Sequence, residues 1–344
     1  MLDTFEFDFE DTDPHSPSEP TQDSIEAWAF YDAKSLEIAL AQSARQGGDD
    51  EKERRRMLER LLLNEHKKPF APLPSLDALE AQAKIHPNFS KVIDYVAQQI
   101  ALCRRQKSPK LRLTPILLEG PPGIGKSHFA QTIATVLGSA YCSIDFATLT
   151  SGFALSGLHR SWSTGQIGLV ARTLWDSPNM SPIFFLDELD KPNSEAKSAP
   201  QGPLYALLER HTAQRFRDEY LEVEFDLSHA VWFAAVNDAG NIPLPLLSRF
   251  TRFCIEAPSD AQLQDIVIGH YLNRRSDLEG FPECLPPHWL QRLQGSSVRE
   301  AISGLDQAMG RAAQRADRLK QDQVQLLEQD LCINTKDYKR IGFV

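Results

Sequence analysis

The stretch "EGPPGIGKSHFA" carries the most concentrated chemistry in this 344-residue chain. Gly120, Gly125, Lys126 and Ser127 fit the spacing GxxxxGK[ST]. An apolar run, Pro115 to Leu118, reads as a strand before it, and Phe129 to Val136 reads as a helix after it. Gly120, Gly123 and Gly125 let the backbone turn tightly, with Pro121, Pro122 and Ile124 between them, so that its N–H groups aim inward at an anion. The helix opening at Lys126, Ser127 and His128 adds its positive end. Residues 120–128 therefore form the candidate nucleotide cradle. On this pattern Lys126 neutralises the β- and γ-phosphates and Ser127 ligates Mg²⁺.

"PIFFLDELDK" sets four apolar residues before Asp187 and Glu188. A buried strand ending in two carboxylates is costly unless a cation or water waits there. Asp187 would hold the Mg²⁺ hydration shell, and Glu188 would polarise the attacking water. Asp190 and Lys191 read as a structural ion pair. "AVWFAAVND" is a third buried strand, and the Asn237 amide at its tip could orient that water or touch the γ-phosphate. In "NIPLPLLSRFTRF", Arg249 could stabilise charge on the transferring phosphoryl, from the same chain or a neighbour, with Arg252 competing for the role. Arg299, near a helix start in "GSSVREAISG", could close over the nucleotide as a lid contact. Trp162 lies in "LSGLHRSWSTGQIGLV" among residues that favour an exposed loop, where a large aromatic is costly unless it touches something.

These residues need elements to position them. From about Leu76, helices alternate with short apolar strands at Pro115–Leu118, Tyr141–Ile144, Ile183–Leu186 and Val231–Val236. That order predicts an α/β fold, a parallel sheet flanked by helices. From Ser259 the chain turns helical and polar. Upstream, residues 1–23 hold many acids and no Lys or Arg, and read as an acidic disordered tail. Its Phe5, Phe7 and Phe9 alternate with acids, a pattern that suits either docking to a partner or plain solvation. Ser24 to about Ala44 has helical spacing that includes Trp28 and Leu36. "DDEKERRRMLERLLL" reads as a second helix whose Arg54–Arg56 run is a solvated face, and residues 67–75 as a proline-punctuated linker. The expected division is a tail at 1–23, a helical segment and linker at 24–75, a large nucleotide-binding domain at 76–258, and a helical lid with C-terminal tail at 259–344.

Composition narrows the function classes. No run reaches the ~18 apolar residues of a membrane helix. The acidic N-terminus is unlike a secretory signal, and five cysteines without a CxxC spacing suit reduced thiols. A cytoplasmic protein with no membrane partner is the expectation. The net charge of −10 argues against a general grip on nucleic acid, though not against a local basic patch.

With these pieces assembled, the chain resembles the AAA+ ATPases, and among them the ATPase module of Lon-type proteases. The matching segments are "GPPGIGKS", "FFLDELDK", "ALLERHTAQRFRDEYLEVEFDLS", "IPLPLLSRF" and "SSVRE", in the family's order over roughly residues 90–305. The resemblance implies a P-loop AAA+ module, a small α-helical lid, ATP and Mg²⁺ as cofactors, and a homo-oligomeric ring, a hexamer in the family. It implies Asn237 as the sensor-1 residue, Arg249 as the arginine finger offered to the neighbouring subunit, and Arg299 as the sensor-2 arginine. It also implies that Trp162 sits on the pore loop and grips an extended polypeptide, where a large flat side chain holds many sequences. The chain departs from the family in ending at Val344, which leaves no room for a Ser–Lys proteolytic domain, so no peptidase activity is expected. It also has Gln166 and Ile167 before Gly168 with no proline in that loop. The expected function is Mg²⁺-dependent ATP hydrolysis that remodels or unfolds a protein client. A nucleic-acid motor or loader is the alternative.

Overall fold

The computed structural model describes residues 27–45, 49–159, 165–191 and 199–332. Trp162 and the acidic tail lie outside these residues. The main sheet has five strands: β1 (Ile116–Glu119), β2 (Tyr141–Asp145), β3 (Ile183–Asp187), β4 (Val231–Val236) and β5 (Thr251–Cys254). All pair in parallel, in the order β2-β3-β4-β1-β5. Helices named below are α1 (Ala33–Ser43), α2 (Asp49–Leu63), α3 (Ser90–Arg104), α4 (Lys126–Val136), α5 (Asp260–Arg275) and α6 (Val298–Leu319). No described helix is long and apolar enough to cross a membrane.

The burial pattern explains the sheet. β4 is buried at every position, as is most of β1 and β3, because helices cover both faces. Alternate residues feed two cores. Leu117, Phe184, Leu186, Trp232 and Ala234 face one cluster, while Ile116, Leu118, Phe185 and Phe233 face the other with Val96 of α3 and Phe129 of α4. The edge strand β5 alternates between half-buried and exposed residues, and its polar sequence "TRFC" gave no apolar run to find. A third cluster, including Tyr271, Trp289 and Leu305, forms wholly from residues after 259 around α5 and α6.

The N-terminal segment differs from expectation at three points. Trp28 is on a strand, not a helix: Ala27–Ala29 pairs antiparallel with Lys67–Pro69, so the start of the expected linker is sheet. Helix α1 begins only at Ala33, where the Asp32 carboxylate caps the Ser35 N–H at 2.7 Å. Phe30, Leu36, Leu58 and Leu61 then enter the same core as Phe184 and Trp232.

Arg54 is the third difference. It is fully buried, whereas Arg55 and Arg56 make exposed pairs with Glu59 and Glu53. The Arg54 guanidinium donates to the carbonyls of Tyr220 (2.7 Å) and Leu221 (2.9 Å) and pairs with Glu222 and Glu51, each at 2.9 Å. One arginine thus joins α2 to the turn at 218–222. Replacing Arg54 with Met strips two buried carbonyls of their donor and removes one of the partners of Glu222, at an expected cost of about 3–5 kcal/mol. Arg55→Ala is expected to change stability by less than about 0.5 kcal/mol. Urea unfolding of the two variants measures this contrast, and equal midpoints would refute it.

Candidate nucleotide site

The parallel strands end together at their C-terminal edge, where ligands of such sheets bind. There β1 runs into the loop 120–125 and α4 starts at Lys126. Two glycines are required by geometry. Gly125 caps α4 with φ +98°, and a Cβ on Gly120 would sit 2.3 Å from the Ile255 carbonyl oxygen. Lys126 Nζ donates to the carbonyls of Gly120 (2.6 Å) and Pro121 (3.1 Å) and to Asn237 Oδ1 (3.3 Å). Burial lowers its proton affinity, and the nearby Asp187 and Asp190 carboxylates raise it again.

Ser127 Oγ donates to Asp187 Oδ2 at 3.0 Å, so the hydroxyl and carboxylate named from sequence meet across 60 residues. Both are hard oxygen donors of the kind Mg²⁺ takes, and the residues present fit that ion. Glu188 follows in the left-handed region at φ +51°, a strained position for a residue with a side chain, and its N–H donates to Asp187 Oδ1 at 3.0 Å. The expected Asp190–Lys191 pair does not form. Lys191 Nζ meets Glu188 Oε1 at 3.1 Å, while buried Asp190 accepts the N–H groups of Asn237 (3.1 Å) and Asp238 (3.2 Å). Burial decides between them: Asp190 is enclosed beside two strand-end donors, and Lys191 remains half-exposed.

Helix α6 closes the site. Ser297 and Glu300 make a capping box, which fixes Arg299 in the first turn, and the Arg299 N–H donates to the Gly123 carbonyl at 3.2 Å. A cavity of about 1050 Å³ lies between, lined by the loop, Asp187, Glu188, Asn237 and Arg299. Ile85, His86, His128, Ile266 and His270 also line it. Burial and the neighbouring His128 hold His86 at about 4, and their rings are 5.1 Å apart. His270 sits 3.1 Å from Asp306. His86, His270 and Asp306 were missed in the sequence because they are single residues on separate elements, with no spacing to mark them. Arg249 and Arg252 lie outside this cavity. Arg252 is engaged within its own chain by Glu119. Arg249 lies 3.2 Å from Glu209, over the Tyr205 ring, and donates to the Pro245 carbonyl.

Residues 116–257 match the family described as "ATPase family associated with various cellular activities (AAA)". Lon proteases are similar in sequence. That of Frankia alni is 28% identical over 251 residues, 69% of this chain and 29% of its own length. Lon protease 1 of Bacillus subtilis is 29% identical over 191 residues, 55% of this chain and 24% of its own. The chain thus spans under a third of the curated relatives it matches. Among solved structures, the RuvB Holliday junction branch migration motor of Thermotoga maritima covers 69% of this chain and 65% of its own at 20% identity, with a TM-score of 0.43, a likeness too loose to carry weight.

The residues flanking the segment 160–164, in which Trp162 lies, are described. Leu158 and Gln166, one on each side, form an antiparallel bridge. Asp218, buried, accepts the N–H of Gly168 at 2.7 Å with one oxygen and those of Tyr220 (3.1 Å) and Leu221 (2.8 Å) with the other. Burial pushes its carboxyl up from 3.8 to about 6 despite these donors. Between those values the native state keeps a proton that the unfolded chain has released. On account of Asp218, stability therefore falls as pH rises from about 4 to 6 and is level above. Asp218→Asn lacks this slope, so its unfolding midpoint should gain on the wild type between about pH 4.5 and about pH 7. A difference between the two proteins that does not vary with pH would rule the assignment out.

Proposed function

We propose that the chain hydrolyses ATP with Mg²⁺ in this cavity and works as a homo-oligomeric ring, six-membered as in the resembled family, that remodels or unfolds a protein client. The contact of Ser127 with Asp187 beside the Lys126 ammonium carries the reading, because it unites three groups that triphosphate chemistry needs. Lys126 and the loop N–H groups hold the phosphates. Ser127 and Asp187 would hold Mg²⁺, which when bound neutralises charge on the phosphoryl oxygens. Glu188 accepts the proton of the attacking water once it leaves Lys191. Asn237, whose backbone Asp190 holds, orients that water. Arg299 covers the nucleotide from α6.

Arg249 supports the oligomeric part. It stands outside its own cavity, which agrees with the role the family resemblance gives it, reaching the triphosphate of a neighbouring copy. The gripping role of Trp162 rests on sequence resemblance. A nucleic-acid motor is the second reading, favoured by the cations of residues 104–112, and it requires turnover stimulated by DNA and suppressed steeply by salt.

Glu188→Gln and Arg249→Ala should each lower ATP turnover by ~10²–10⁴-fold. Mixed together, the two inactive proteins should regain activity, because an intact Glu188 in one subunit then meets an intact Arg249 from the other. Steady-state phosphate release from the mixture checks this, and a mixture as inactive as its parts would defeat the shared site.

A further inference from the structure

The charge of this chain is unevenly spread. Residues 1–26 hold nine of its 47 acidic residues and none of its 37 lysines and arginines. Residues 27–344 are therefore almost balanced, with 38 acids against 37 bases. Within that balanced part, Arg104, Arg105, Lys107, Lys110 and Arg112 fall in nine residues, and no acid lies between Asp94 and Glu119. All but Lys110 are exposed.

This run starts at Arg104, the last residue of α3, and its Lys110 reaches Trp28 of the strand Ala27–Ala29. Lys110 Nζ lies 4.4 Å from the centroid of the Trp28 ring and 4.8 Å from that of Phe70, and the two rings are 6.2 Å apart. Arg112 stands near enough to Arg210 to add to burial in depressing the Arg210 guanidinium. Among the described residues neither makes an ion pair, and the counter-charge Arg210 feels is Asp226, which already accepts from Trp28 Nε1 at 3.0 Å. The surface thus combines excess cations with a tryptophan that is 40% exposed.

We propose that residues 1–23 fold back onto this patch as an internal ligand. The acids of "FEFDFEDTD" meet the cations of residues 104–112 and Arg210, and its phenylalanines meet Trp28 and Phe70. Charge complementarity and attachment argue for this occupant over others. The segment joins the described chain at Ala27, one residue from Trp28 in the patch itself. Tethering at that distance gives an effective concentration of about millimolar or more, so contacts that are weak singly suffice. Bound there, the segment keeps other polyanions off the cations.

The test uses the full chain and a zero-length carbodiimide, which joins contacting carboxylates and amines. Cross-links from acids in residues 3–23 to Lys107 and Lys110 are expected. They should lie within one chain in a mixture of ¹⁵N-labelled and unlabelled protein, and fall several-fold in about 0.5 M salt. Arg105→Glu with Arg112→Glu should lower their yield several-fold and leave ATP turnover unchanged, since neither residue lines the nucleotide cavity. No cross-links to lysines that an amine reagent still labels would overturn the proposal. So would cross-links mainly between labelled and unlabelled chains, which would make the occupant a second copy. Labelled duplex DNA that binds the intact chain as tightly as a variant with the tail acids changed to Asn and Gln would also overturn it, and would assign the patch to nucleic acid.

Discussion

The half-buried ammonium of Lys126 is the charge around which the site is built. Its acceptors are two loop carbonyls and an amide oxygen, all neutral, while Asp187 and Asp190 act on it from farther off. Neutral acceptors answer its hydrogen bonds but only part of its charge, and a phosphate oxygen answers both. The loop presents those carbonyls because its first residue is fixed on two sides. The Gly120 N–H donates to Val236 of β4, and the Ile255 N–H beyond β5 donates back to Glu119. The sheet order therefore sets where the cation can stand.

The groups around that cation are coupled in the same way. Asp190 follows β3 in sequence but spends one oxygen on the N–H groups that follow β4. Glu188 and Asn237 are thus joined through one buried carboxylate, and a shift of either strand end reaches the other. Glu188 keeps its left-handed backbone because Asp187 holds its N–H and Lys191 its side chain. Strain held by polar contacts can be released when those contacts are exchanged.

The readable part of the sequence was the part whose signal is local. The phosphate loop is a contiguous pattern, and β3 and β4 are buried runs that end in polar residues, so the loop, the strands and the Ser127–Asp187 meeting are legible in the amino-acid order alone. What escaped depends on partners far away in the chain. Arg54 looks like Arg55 and Arg56 until Tyr220 and Leu221, some 166 residues on, supply its acceptors. Trp28 looks helical until Lys68 and Asp226 set it on a strand. β5 is short and polar because it lies at an edge, where period and hydrophobicity both fade.

The 218–228 segment links these two kinds of information. "DEYLEVEFDLS" entered as a family likeness, but its chemistry is structural. Asp218 ties the base of the Trp162 loop through Gly168, while Tyr220, Leu221 and Glu222 receive Arg54 from α2. Phe225, three residues on, bridges to Tyr31 and packs against Phe30. The N-terminal helices are therefore not an appendage to the main sheet. They share its core and clasp the same turn whose Asp218 holds Gly168, so α2 is tied to that turn through a buried arginine.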